Sequence, residues 1–347
     1  MKRVIVTPAV IVISAMLLLL AFGAELSAAE FYKGKTVRIT VGHSAGGGFD
    51  LWARLVARHL GRHIPGEPTV IVENITGAGG LIHVNQLFSA TKPDGLTIGH
   101  FNGVFLLSAM FQQPGYDFDG QKFIYIGAAN KENPVFLFSK KSGITSVDKW
   151  RSSATPVLVG GFVPGNSIDN CNRAMKDILG FPTKNIMGYK GTADILIAID
   201  SGELAGGAAS WDNIKTNRMR QINAGEAFVL VQCTPKALKQ IPNVPKMIDL
   251  AKTDDQKRLI EIAINNPNEF SRPFVLTPGT PKDRVDILRK AFQETMKDKE
   301  FLAEVDKMQL TLDPTTGDDL AALVVKTLKT DQAIKAKLKD ILFKAEK

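Results

Sequence analysis

The stretch Val41-Gly42-His43-Ser44-Ala45-Gly46-Gly47-Gly48-Phe49-Asp50 is an apolar run that empties into three consecutive glycines and then into a helical pattern. Thr36 to Val41 reads as a strand and Asp50 to Leu60 as a helix. Glycine lets a backbone approach a ligand closely, and a helix N-terminus presents unpaired N–H groups with a partial positive charge. The connection between them is therefore suited to receiving an anion.

The motif recurs. Pro65-Gly66-Glu67-Pro68 turns the chain into a β-branched strand, Thr69 to Asn74, which empties into Thr76-Gly77-Ala78-Gly79-Gly80 and a helical pattern carrying Leu81, Ile82, Val84, Leu87 and Phe88. Two strand, glycine-loop, helix units about thirty residues apart are what neighbouring β-α units of a parallel sheet require. Both loops then fall at strand C-termini, the edge where open α/β sheets bind ligands. A third strand, Leu96 to Phe101, follows the turn Lys92-Pro93-Asp94-Gly95. Phe123 to Phe138 holds two β-rich runs separated by Asn130-Lys131-Glu132-Asn133-Pro134, the best hinge candidate.

Beyond that break the pattern restarts. Pro156 to Gly161 is a strand, Val163 to Ser167 a loop, and Ile168 to Leu179 a helix with Ser167 as N-cap. Further loops end at Gly188-Tyr189-Lys190-Gly191-Thr192 and at Ser210-Trp211-Asp212. Ser271 to Leu276 is a late strand, and helices are expected over 282–298, 299–307 and 318–329. The fold class is α/β, in two lobes, with the first lobe discontinuous: 1–29 a leader, 30–130 with 268–347 lobe 1, and 131–267 lobe 2.

Met1-Lys2-Arg3, the apolar run Ala9 to Phe22 and Ser27-Ala28-Ala29 have the layout of a secretory signal peptide. The apolar core is shorter than the roughly 20 residues a spanning helix needs. A net charge of +8 with Lys and Arg scattered among acids, and 7% aromatic residues, do not form a nucleic-acid stripe and suit acidic solutes instead. Cys171 and Cys233 are either one disulfide or two buried thiols. No Cys or His pair has zinc-ligand spacing, and no metal or cofactor is expected.

Gly42-His43-Ser44-Ala45-Gly46 also fits the nucleophile elbow of α/β-hydrolases at a strand-to-helix turn. An esterase at Ser44 would need strands upstream and a histidine base downstream. Few residues precede the motif once the leader is removed, and no His follows His100. Neither loop gives the dinucleotide pattern with its acidic partner. The chain is accordingly not expected to be an enzyme.

Asp50 is read as a first-turn acid complementing the helix dipole, since a carboxylate would repel a bound anion. Trp52 is assigned to the core. Lys190 is either a solvated lysine or an anion contact. Trp211 is placed toward a ligand cleft, as an aromatic wall suits an organic solute. Asn102, with His100, ends the third strand, where it either meets a ligand or satisfies loop backbone.

Six motifs in order resemble those of the periplasmic receptors of tripartite tricarboxylate transporters, the Bug proteins: Tyr32-Lys33-Gly34-Lys35, Gly46-Gly47-Gly48-Phe49-Asp50, Val72-Glu73-Asn74 with Gly77-Ala78-Gly79-Gly80, Lys92-Pro93-Asp94-Gly95, Gly188-Tyr189-Lys190-Gly191-Thr192 and Pro278-Gly279-Thr280-Pro281. The resemblance covers nearly the whole chain after the leader. It implies a two-lobed periplasmic-binding-protein fold of the Venus-flytrap type, type II-like. Such a receptor holds a small organic carboxylate and delivers it to one large and one small membrane permease subunit.

Carried over residue by residue, the match places loop one at Ser44, Ala45, Gly46, Gly47, Gly48 and Phe49, and loop two at Thr76, Gly77, Ala78, Gly79 and Gly80. In the second lobe it places Asn166, Ser167, Lys190, Gly191 and Thr192. The chain departs from the family where Gly42-His43-Ser44-Ala45 replaces a proline-rich approach to the glycines and where Thr76 replaces a proline. A periplasmic monomer is the expected state. A receptor that reports to a membrane sensor kinase is the alternative to uptake, and gene neighbourhood separates the two.

Overall fold

The computed structural model describes residues 30–162, 164–189 and 192–343. The leader expected at 1–29 and the loop residues Lys190 and Gly191 lie outside these residues. The chain forms two compact units. Unit 1 runs to Phe101 and takes in Lys122–Gly127 and Phe274–Met308; unit 2 holds Asn102–Gln121, Ala128–Pro273 and Gln309–Lys347.

In unit 1, β1 (Thr36–Val41) lies between β2 (Thr69–Asn74) and β3 (Thr97–His100), all three parallel. The strand Phe274–Leu276 pairs antiparallel with β3 and with β4 (Ile124–Ala128). The two-residue period of β1 sends Val37, Ile39 and Val41 to one face, where all three are sealed from solvent. Helix α1 (Gly48–Leu60) covers that face with Trp52, Leu55, Val56 and Leu60, spaced three to four residues apart. Each such side chain removed from water stabilises the fold by roughly 1.5–3 kcal/mol.

Helix α2 (Leu81–Ser89) covers the opposite face. Its His83 bonds Thr40, and Leu87 packs where Gly99 leaves room for it. Helices on both sides of a parallel core are the doubly wound arrangement expected from the sequence. The strand register fixes one further relation: Val41, the last residue of β1, pairs with Asn74 and with His100, the last residues of β2 and β3. Three strands therefore end level, and the loops that leave β1 and β2 start side by side.

Unit 2 has its own sheet of β5 (Pro134–Ser139), β6 (Val157–Gly160), β7 (Thr183–Ile186), β8 (Gly206–Ser210) and β9 (Ala227–Gln232), in the order β7-β6-β8-β5-β9. Strand β6 is parallel to β7 and β8, and β5 is antiparallel to β8 and β9. Trp150 centres the core. Its ring lies 5.0, 4.7 and 5.0 Å from those of Phe136, Phe138 and Phe181, and its indole N–H donates to Thr183.

Several boundaries differ from the sequence reading. The expected helix 282–298 stops at Thr295, because Asp298 caps the next helix, Lys299–Lys307, by accepting from the Glu300 and Phe301 amides. Asn166, not Ser167, caps α3 (Ser167–Arg173), its Oδ1 accepting from the Ile168 amide at 2.9 Å. A helix over Gln332–Phe343 was not anticipated.

The segments Asn102–Gln121 and 309–347, assigned above to the first lobe, belong to unit 2. Leu107, Phe111, Leu338 and Leu342 join the same buried cluster as Phe136 and Trp150, so their apolar surface is satisfied there. The Asn130–Pro134 segment also lies in unit 2. Lys131 pairs with Glu269 and Asp313, and Glu132 with Arg272.

Candidate functional site

Loop one (Gly42–Gly47) and loop two (Ile75–Gly80) leave the level ends of β1 and β2. They touch through backbone alone. A Cβ on Gly80 would lie 2.6 Å from the Gly42 carbonyl oxygen, and one on Gly42 would lie 3.3 Å from the Gly80 Cα. Gly80 also has φ +103°, which L side chains rarely adopt. The sequence signal for a close approach was thus correct, though part of that approach is made between the loops themselves.

Loop one is held by Asp50. This buried carboxylate accepts from the Gly46 amide at 2.8 Å, from Arg54 Nε at 2.9 Å and from Asn74 Nδ2 at 2.9 Å. Asn74 Nδ2 donates also to the His43 carbonyl, and Arg54 donates to Asn74 Oδ1. The hydrogen bond from Arg54, opposed by burial and reinforced by Gly46 and Asn74, lowers the Asp50 pKa to about 2. Asp50 therefore does more than complement the helix dipole. It takes up the Gly46 N–H, which corrects the expectation that this amide meets a ligand.

The remaining amides are available. Among the described residues, the N–H groups of Ser44, Ala45 and Gly48 in and just after loop one, and of Thr76, Gly77, Ala78 and Gly79 in loop two, meet no acceptor. Ser44, Ala45, Gly47, Gly48, Thr76, Ala78 and Gly79 are exposed. No Lys or Arg lies in 42–50 or 75–80, so an anion here would be recognised by backbone dipoles. The Ser44 hydroxyl makes no hydrogen bond among the described residues. His59 and His63 are engaged elsewhere, with Glu304 and Asp298.

Aromatic rings support loop one. Phe49, half-buried, stacks on His43 at 4.3 Å and lies 5.2 Å from His100, which in turn stacks on Phe274 at 4.1 Å. Beneath the loop junction sits His83, 1% exposed, with Nε2 2.8 Å from Thr40 Oγ1 and a buried Nδ1 that has no partner among the described residues. Burial, with a smaller contribution from the charge of His43, lowers its pKa to about 4.

The unit 2 residues divide differently. Asn166 and Ser167 lie at the start of α3, and Thr192 opens α4 (Thr192–Ser201), half-buried. Asn102 Oδ1 accepts from the Val104 amide, so it closes a turn before the helix Phe105–Met110. Trp211, expected at a cleft, is 2% exposed in a core with Ile195, Ile199 and Ile214. Strand β8 turns directly into the helix Trp211–Asn217, and the apolar face of α4 covers the indole at that turn.

The sequence reading missed Arg54 and His83. The Asp50–Arg54 spacing of four residues was a usable signal. Nothing in the sequence distinguished His83 from an ordinary helical residue.

The fold and the paired loops are those of an α/β solute-binding protein. Residues 53–339 match the tripartite tricarboxylate transporter family receptor model, TctC, and the chain belongs to that family. The match opens at Ala53, inside α1, so loop one precedes it. A UPF0065 protein from the TAR-I ttuE-ttuC' intergenic region of Agrobacterium vitis is 28% identical over 329 residues, covering 92% of this chain and 83% of that one. A ligand-free TctC solute-binding protein from Polaromonas superposes with a TM-score of 0.70 at 19% identity, over 90% of this chain and all of the other. MatC of Rhodopseudomonas palustris, solved with bound malate, gives 0.60 at 18% identity, over 89% of this chain and 99% of that one.

Proposed function

We propose that the protein is an extracytoplasmic receptor that captures a small organic carboxylate on loops one and two and hands it to the large and small membrane subunits of a tripartite transporter. The observation that carries this reading is the pair of loops at level strand ends, presenting acceptor-free amides to solvent with no charged side chain in the way. Amides aimed at one place bind a carboxylate through its oxygens and leave the rest of the ligand to other contacts. The malate held by MatC is a carboxylate of the proposed class. Among the described residues, no helix is long and apolar enough to cross a membrane. Export through cleavage of the 1–29 leader is part of the proposal.

Calorimetry and thermal-shift measurements on the leader-free protein across mono-, di- and tricarboxylates test it. Saturable binding of one carboxylate, weakened when the loop junction is disturbed by Gly80→Ala, is the expected result. A chain that binds no member of the panel overturns the reading.

A further inference from the structure

Cys171 and Cys233 belong to one buried cluster of unit 2, and neither has solvent exposure. Cys171 lies in α3, and Cys233 directly follows β9. The two thiols are in hydrogen-bonding contact with each other. The Cys233 backbone is held on both sides, its N–H donating to the Pro134 carbonyl and its C=O accepting from Asn268 Nδ2, each at 2.8 Å. Two residues far apart in the chain are thus delivered to thiol contact by a helix and a strand end, in a place where water and small reagents do not reach.

We propose that Cys171 and Cys233 are joined by a disulfide in the exported protein. This rests on the export reading given above, since such bonds persist in oxidising compartments. The co-reactant is a disulfide-bearing donor, protein or small molecule. The thiolate of one cysteine attacks a donor sulfur, forming a mixed disulfide and releasing one donor thiolate. The second cysteine thiolate then attacks the first cysteine's sulfur, the Sγ–Sγ bond forms, and the other donor sulfur leaves. Two protons pass from the cysteines to the two donor thiols, and the donor is reduced by two electrons. Because the finished core excludes reagents, the bond closes during folding and then resists reduction until the protein unfolds.

The test is thiol alkylation in denaturant followed by mass spectrometry and peptide mapping. It is applied to the full chain recovered from the periplasmic fraction and, separately, to reduced chain refolded with oxidised glutathione. Expected are no alkylated cysteines without prior reduction, two after it, and a cross-linked Cys171–Cys233 peptide in a monomeric band. Cys171→Ser serves as control and leaves one alkylated cysteine. Two free thiols in both the exported and the refolded protein overturn the proposal. Absence of the chain from the periplasm instead counts against export, and the refolding arm then decides the disulfide alone.

Discussion

The carbonyl oxygen of Gly42 lies 2.6 Å from the position that a Cβ on Gly80 would occupy, so the two glycine loops meet with no side chain between them. Gly80→Ala meets both this contact and a φ of +103°. It should destabilise unit 1 by about 1–3 kcal/mol. Gly46→Ala meets open space at φ +82° and should cost only about 1–2 kcal/mol. Urea denaturation of the two variants checks the order; equal effects would mean that backbone conformation, and not contact, sets the requirement at Gly80.

Asp50→Ala strands Arg54, Asn74 and the Gly46 amide together. A loss of about 2–4 kcal/mol is expected, larger than for an exposed ion pair because the carboxylate is buried. The sign of its pH dependence follows from its lowered pKa, from 3.8 to about 2. The contribution of Asp50 is present above pH 4 and disappears as the pH falls through 2. Acid denaturation of the wild type and Asp50→Asn should therefore converge at the acid end, and curves that stay parallel down to pH 2 would contradict this.

His83 works in the opposite sense to a favourably paired base. Its pKa in the fold, about 4, lies below the 6.5 of a free imidazole, so the unfolded chain binds the proton first. Stability is unaffected above pH 6.5, falls as the pH drops from 6.5 to 4, and falls no further on this account below that. The accumulated loss has an upper bound of about 3 kcal/mol. His83→Gln should flatten the dependence in that window, whatever its effect at neutral pH. A wild-type curve that is already flat there removes the premise.

Ser44→Ala should leave carboxylate binding and stability within about 0.5 kcal/mol of wild type, as befits an exposed side chain without a hydrogen bond. Ester turnover should be absent from both proteins. Turnover in the wild type that vanishes in the variant would restore the nucleophile-elbow reading.

The strands Thr36–Val41 and Thr69–Asn74 were legible to the residue, because β-branched alternation and a glycine break mark both ends. The family was legible from motif order. What escaped was determined at a distance. Trp211 looked like a cleft residue from its glycine-rich neighbours, yet α4, about twenty residues earlier, covers it. Asp50 looked like a dipole partner because only folding brings Asn74 and the Gly46 amide to it. The helix over 282–298 was drawn too long because Asp298 suits a helix end as well as an interior until its capping bonds are seen.

The level pairing of Val41 with Asn74 and His100 works like the fixed jaws of a calliper. The span between the loops is set by the strand ladder, and a slip of one residue would move a jaw by about 3.3 Å. Substitutions at the exposed loop positions Ser44, Ala45, Thr76 and Ala78 leave that ladder untouched. Drift in the ligand accepted can therefore proceed there while the gauge that measures a carboxylate keeps its setting.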